Sequence, residues 1–351
     1  MKSLISTAFL LLTLLVSTTT AAAYDFESGG IYYNINGSQA TVTFKGSGNV
    51  QTGHYSGQVV IPETVTHNGV TYAVTAIERR AFSNCTAPTT VSIPKTVTSI
   101  DAFSFSGSSG ITSITVDSAN PKYDSREQCN AIILTAANKL MAGCQNTVIP
   151  KSVTIVGNGA FWGCSTLSSV TIPGSVIKLE VQAFAYCSGL SSVTIGNSMV
   201  FIDESAFDGC SSLSSVTLPA SVNIIGRRAF AGCTSLTDVY SYIANPSRMT
   251  VNGLTFYAPD DFVYAGRTLH VLQGTGDAYR ADVRWYPYFG QIVEDLMIGD
   301  VNLDGEVNIA DVNVVIDLIL EASGDSPAAD VNADGEVTVA DVNAIIGIIS
   351  D

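Results

Sequence analysis

Apolar and polar positions recur along this chain with a period of 23 residues. The segments AFWGC, AFAYC, AFDGC and AFAGC begin at Ala160, Ala183, Ala206 and Ala229, each 23 residues after the last. Ile149, Ile172, Ile195 and Leu218 keep that spacing, as do Leu167, Leu190, Leu213 and Leu236. AFSNC at Ala81 and AFSFS at Ala102 read as looser upstream copies. Self-similarity at a fixed period of this length marks a stacked repeat.

Within one unit the alternation is that of a strand. In LSSVTI from Leu190, the residues Leu190, Val193 and Ile195 point inward, while Ser192 and Thr194 point outward. A Pro or Gly ends the strand, as at Pro173 or Gly196. A second short apolar stretch follows, such as Val222 and Ile225, and the Ala-Phe pair turns the chain. Phe161, Phe184, Phe207 and Phe230 are expected to stack in one column. No unit can bury its own inner face, so the core comes from stacking, at roughly 4.8 Å per coil. The expected fold is a mainly β solenoid of 23-residue coils.

The outward positions form a Ser/Thr face: Thr90/Ser92, Ser113/Thr115, Ser169/Thr171, Ser192/Thr194 and Ser215/Thr217, ending in Asp238/Tyr240. This is either a solvated sheet of good β-propensity or a face for a protein or glycan ligand. Sugar platforms use exposed aromatics, and this face offers only Tyr240.

The repeat LSSVTIPGSV…AFAGC resembles the BspA-like leucine-rich repeat of bacterial surface proteins. The resemblance covers residues 24–295. Residues 24–61 look like the family's N-terminal cap. Residues 255–293 look like its terminal module, with Trp285 and Tyr286 closing the core. The resemblance implies a binding scaffold, since some relatives act as adhesins for host matrix proteins or other cells.

A second repeat stands at the C-terminus. Two 12-residue loops lie 30 residues apart. The first carries Asp300, Asn302, Asp304, Gly305, Glu306, Asn308 and Asp311; the second carries Asp330, Asn332, Asp334, Gly335, Glu336, Thr338 and Asp341. Oxygen donors at the first, third, fifth and twelfth positions suit Ca2+, which takes six to eight hard oxygen ligands. The carbonyls of Glu306 and Glu336 serve as seventh-position ligands, and Asn308 and Thr338 act at the ninth, directly or through water. Gly305 and Gly335 permit the sharp turn. Each loop runs into an apolar helix. Val312, Val315, Ile316 and Ile319 form one buried stripe, and Val342, Ile345, Ile346 and Ile349 its counterpart. Val314, Leu318 and Ile348 are left over, for a partner face or for more core.

The last ligand is Asp, where the standard EF-hand loop ends in Glu. Paired loops of this kind, each with a following helix, resemble a type I dockerin over residues 299–351. That resemblance implies two Ca2+ sites and a cohesin-like partner. The helix positions often basic in the well-studied pattern here read Ile316-Asp317 and Ile346-Gly347, which leaves the partner's identity open.

Charge supports the division. Of 31 Asp and Glu, twelve fall in residues 299–351, which hold no Lys or Arg. The rest carries 19 acids against 16 bases. Acidity this local calls for a bound cation. No basic stripe exists, so nucleic acid is not an expected partner. Residues 1–23 read as a signal peptide: Lys2, an apolar run from Leu4 to Val16, and Ala21-Ala22-Ala23 before the cut. No membrane span is expected after its cleavage. The expected domains are thus 1–23, a solenoid over 24–298 and a small helical calcium-loop module over 299–351, in a secreted or surface protein.

Cys85, Cys164, Cys187, Cys210 and Cys233 occupy one repeat position and read as small buried apolar residues. Cys129 and Cys144 flank a hairpin-like stretch turning at Ala136-Ala137. Both a disulfide and two free thiols remain open there. Only His54, His67 and His270 are present, and no nucleophile elbow, HExxH or phosphate loop appears. A non-catalytic adhesin or protein scaffold is expected. The alternatives are an accessory of a polysaccharide-degrading assembly and a glycoside hydrolase of unrecognised type.

Overall fold

The structure, a computed structural model, describes residues 24–46, 54–257, 265–302, 304–320 and 326–350. The leader-like segment 1–23 lies outside the described residues. At the N-terminus, Phe26–Ser28, Ile31–Asn36 and Gln39–Thr43 form an antiparallel meander. Val70–Ile77 then pairs parallel to Gln39–Thr43 and antiparallel to Thr64–His67. Tyr33, Val42 and Val74 are fully buried beneath this sheet.

The coils then stack strands on two faces. One face carries longer parallel strands in three separate sheets, containing Thr89–Ile93 with Ile111–Val116, Ser169–Ile172 with Ser192–Ile195, and Ser215–Leu218 with Asp238–Ser241. The other stacks two-residue strands, including Ile155–Val156, Lys178–Leu179, Phe201–Ile202 and Ile224–Ile225. Registers follow the sequence period: Val170 faces Val193, and Leu179 faces Ile202. Leu190, Val193 and Ile195 are buried, and Ser192 and Thr194 are exposed.

The phenylalanines stack as the spacing requires. Phe161, Phe184, Phe207, Phe230 and Phe256 form one column with ring centroids 4.7 to 5.3 Å apart. Each turn holds two left-handed residues, one before its Ala and one three after it: Gln182 and Tyr186, Ser205 and Gly209, Arg228 and Gly232. Glycine takes the second position without steric cost. Tyr186 occupies it despite that cost.

The upstream copy at Ala102 is out of phase. Phe82 stacks on Phe105, at 4.9 Å, and not on Phe103. The ladder bond decides this: Phe82 N donates to Ser104 O at 2.8 Å, as Phe184 N does to Ala206 O. The unit therefore starts at Ser104. Phe103 is expelled to a left-handed position (φ 61°), with the Arg79 guanidinium 4.7 Å above its ring.

All seven cysteines are buried free thiols. Cys187, Cys210 and Cys233 each donate to the carbonyl of the preceding coil's Phe161, Phe184 or Phe207, at 3.0 to 3.2 Å. Ser108 makes the same bond to Phe82 O. Burial pushes the Cys164 and Cys233 thiols up to about 12. Of the two alternatives for Cys129 and Cys144, the structure has the free thiols. A bulge between Ile132 and Ile133 shifts the hairpin register, and Cys144 Sγ meets Asn130 O at 3.4 Å instead of Cys129. Denatured, unreduced protein is expected to titrate seven thiols with a thiol reagent; five would show the disulfide.

Trp285 is fully buried at the far end, against Tyr279 at 5.1 Å and Phe256 at 5.8 Å. Tyr286 is 48 % exposed, so it does not help to close the core; Tyr279 and Phe289 take that place. Buried Arg267 donates to the carbonyls of Leu236, Phe256 and Cys233, satisfying main-chain acceptors of the last coils.

Candidate functional site

The two C-terminal loops fold to the same hydrogen-bond plan. In the first, Asp300 accepts from the N–H of Asp304 and of Gly305, at 3.1 and 2.9 Å. Asn302 Oδ1 accepts from Asp304 N, and Asp304 Oδ1 from Glu306 N. Asp330, Asn332 and Asp334 repeat these contacts to Asp334, Gly335 and Glu336. Gly305 and Gly335 sit at φ 88° and 92°, where a side chain would be strained.

The ninth and twelfth positions act together as helix caps. Asn308 Oδ1 accepts from Ala310 N, while Asp311 Oδ2 accepts from Asn308 N. Thr338 and Asp341 do the same with Ala340. This reciprocal arrangement is a capping box, and it starts the helices Ile309–Leu320 and Val339–Ser350. The second carboxylate oxygen of Asp311 reaches back to Val301 N and Asn302 N, and that of Asp341 to Asn332 N. The twelfth residue thus ties each loop's beginning to its end. Asn308 and Thr338 spend their side-chain oxygens on the helix.

Asp311 and Asp341 are fully buried and Asp300 is 2 % exposed. Burial, with the charges of Asp341 and Asp334, holds the Asp330 carboxyl above the usual carboxylate range, against the N–H bonds from Gly335 and Asp334. Among the described residues no ion pair engages these acids, and no three Asp, Glu, His or Cys side chains form a ready cage. The oxygens that each loop gathers are mixed instead: carboxylates together with the amide oxygen of Asn302 or Asn332. An all-oxygen, anionic and otherwise uncompensated set suits a hard divalent cation such as calcium.

The helices differ in part from the expected stripes. Val312, Val315, Val342 and Ile345 form the core with Ala329. Ile316, Ile346 and Ile349 are 38 %, 45 % and 42 % exposed. Leu318 turns inward and, with Ile319, faces the solenoid across a cleft of about 480 Å³ also lined by Pro173, Ile177 and Gly335. Asn197 donates to Ser326 O at 3.2 Å, and Ser198 to Gly335 O at 3.5 Å. Ala328 packs with Tyr242, Leu272 and Leu296.

The outer sheet face carries its Ser and Thr outward as expected. Its far end holds a group that spacing did not reveal. His270 pairs with Tyr240 in the sheet and stacks on its ring, at 4.5 Å. Its Nδ1 lies 2.7 Å from Asp295 and its Nε2 3.1 Å from Asp238. The Thr237 hydroxyl foremost, and then His270, hold the Asp238 carboxyl below its usual range. With both ring nitrogens engaged by carboxylates, the imidazole has no free nitrogen to activate a nucleophile.

Residues 63–130 and 137–251, more than half of the chain, match the BspA type leucine rich repeat region in six copies. The chain belongs to that family. Residues 298–350 match the dockerin type I domain. Dockerin domains bind calcium and cohesins, and leucine-rich repeats of this type serve protein interaction; both are typical of extracellular or surface proteins and typically non-catalytic. The family match breaks at 131–136, inside the hairpin Ile132–Leu134 and Lys139–Ala142.

Similar solved structures include a leucine rich cell surface protein from Faecalibacterium prausnitzii (18 % identity, 73 % of this chain and 96 % of that one, TM-score 0.42). A leucine-rich repeat protein from Bacteroides ovatus aligns at 22 % identity, over 71 % of each chain, with TM-score 0.40. The pneumococcal vaccine antigen PcpA aligns at 14 % identity over 79 % of this chain and 99 % of its own, with TM-score 0.42. No curated protein matches the chain. Among the described residues no helix is long and apolar enough to cross a membrane.

Proposed function

We propose that this chain is an exported, non-catalytic binding protein. Its solenoid, residues 24–298, acts as an adhesin or interaction scaffold. Its module, residues 299–351, fastens it in calcium to a cohesin-like protein of a surface or extracellular complex. Residues 1–23 are the export signal. The duplicated loop carries this reading, because two copies with one hydrogen-bond plan serve no need of the solenoid. Each loop holds one calcium ion: Asp300, Asn302, Asp304, the Glu306 carbonyl and Asp311 in the first, and Asp330, Asn332, Asp334, the Glu336 carbonyl and Asp341 in the second. Asn308 and Thr338 act from the ninth position through water while capping their helices. A bound cation supplies the charge that buried carboxylates lack; the chain supplies the fold around it.

The partner face is the apolar surface of Ile309, Ile316, Val339 and Ile346, between 38 % and 65 % exposed. It is supported by what covers the rest, since Leu318, Ile319 and the Gly335 turn already face the solenoid. Full-length chain used as bait against the producing organism's surface extract is expected to capture a partner in calcium and release it in chelator. Ile316→Asp and Ile346→Asp together should cut capture at least tenfold, about 1.4 kcal/mol. Capture that survives chelator, or that ignores both substitutions, would sink the docking reading. An accessory role in a polysaccharide-degrading assembly is the second reading, decided by the captured partner's other clients.

A further inference from the structure

Three departures from the repeat converge on one place. Trp162 stands where the following coils have Ala185, Asp208 and Ala231. Tyr186 stands at a left-handed position, φ 60°, where one other turn has Asn84 and the rest have Gly107, Gly163, Gly209 and Gly232. Phe103 is the ring expelled from the stacking column. None of the three is required by the coil, and a bulky residue in the left-handed region is disfavoured. Trp162 and Tyr186 nevertheless meet edge to face, at 5.4 Å. Tyr186 is 47 % exposed.

Phe103 and Trp162 line a cavity of about 330 Å³ on the turn edge, with Arg79, Arg80, Asn84 and Gln182; Tyr186 stands outside that lining and buttresses Trp162. That volume lies at the lower end of small-molecule clefts, ~300–1,000 Å³. The charge is equally out of pattern. Arg228, at the repeat position of Arg80, is neutralised by Asp208 at 3.0 Å. Among the described residues neither the Arg79 nor the Arg80 guanidinium makes an ion pair, in a chain of net charge −15; the nearby Asp101 carboxylate accepts from the Arg79 main-chain N–H at 3.3 Å. The Arg79 guanidinium rests on the Phe103 ring. The Gln182 side-chain amide also lines the cleft.

We propose that this cleft binds an acidic glycan, a pyranose ring bearing a carboxylate. The inference rests on the reading of the solenoid as the ligand-binding part and gives that part a site. The Trp162 ring covers the apolar face of a sugar ring, while the Phe103 face carries Arg79 and positions its guanidinium. A guanidinium takes a carboxylate in a two-bond fork, and the Gln182 amide meets hydroxyls. The Ser/Thr sheet, with Tyr240 as its lone aromatic, offers none of this.

Trp162 makes the test direct. The chain has two tryptophans, and the other, Trp285, is fully buried. Tetragalacturonate added to the full-length protein should change Trp162 fluorescence, with a Kd of about 0.1–1 mM that weakens with salt. Arg80→Gln should weaken binding about tenfold, and Tyr186→Gly, which suits the left-handed backbone and removes the edge contact that positions Trp162, about threefold. No fluorescence change, equal binding of a neutral tetrasaccharide, or equal binding of tetraglutamate would each overturn the assignment. So would full affinity in both variants. Calcium-dependent capture of a partner is untouched by these substitutions, so the sugar site and the docking module fail separately.

Discussion

Chelation of the full-length chain is expected to melt the helices Ile309–Leu320 and Val339–Ser350 and to leave the solenoid folded. The module's core is small: Val312, Val315, Ala329, Val342 and Ile345 are its buried residues. A domain of this size rarely gains more than ~3–5 kcal/mol from its core. Against that stand twelve acids with no Lys or Arg in residues 299–351, several of them buried. A cation at a thousand times its Kd adds about 4 kcal/mol per site, so two sites would outweigh the core. The raised Asp330 carboxyl has the same sense. Its folded form holds a proton more tightly than its unfolded form, so the metal-free module loses stability as pH rises past the ordinary carboxylate range. Cation binding removes that penalty at neutral pH. The measurement is helical circular dichroism and urea unfolding with calcium and with EGTA. Helix content unchanged in EGTA would refute the prediction. Asp311→Ala should cost more than Asp304→Ala, because Asp311 also closes the capping box and ties Val301 and Asn302 to the helix.

Legibility followed the period. Wherever a residue's place depends on stacking against a copy of itself, the 23-residue spacing located it: the phenylalanine column, the inward Leu-Val-Ile set and the buried cysteines, whose hydrogen bonds to the preceding coil only the structure shows. The loops were legible for a similar reason, since position within a 12-residue ligand pattern is chemistry written in order. Phase was harder. AFSFS contains two phenylalanines, and only the ladder bond from Phe82 N to Ser104 O selects Phe105. Ile316 and Ile346 follow a helical stripe, yet a two-helix module is too small to bury its full width. Tyr286 lost its expected place to Tyr279 and Phe289, which no periodicity marks. The cluster of Asp238, His270 and Asp295 comes from three strands separated in sequence, so only the sheet brings it together.

Phe207→Ala is expected to be the most damaging single substitution in the solenoid. Phe207 is fully buried between Phe184 and Phe230, 5.3 Å from each ring. Truncation of a buried phenylalanine costs about 3–5 kcal/mol, and neither flanking ring can collapse into the gap while its own coil is fixed by the ladder. In a stacked array each coil is held chiefly by its neighbours, so the loss falls on two interfaces at once. Unfolding in urea should then lose its single transition, with the coils C-terminal to the lesion melting before those around Phe82 and Phe105. Cys210→Ser at the adjoining position supplies the contrast. Ser108 already occupies that repeat position and bonds to Phe82 O as Cys210 does to Phe184 O, so a hydroxyl is tolerated there. Its cost should stay near 1 kcal/mol, the net worth of a typical buried bond. Equal losses for the two variants would mean that the ring column is not what couples one coil to the next.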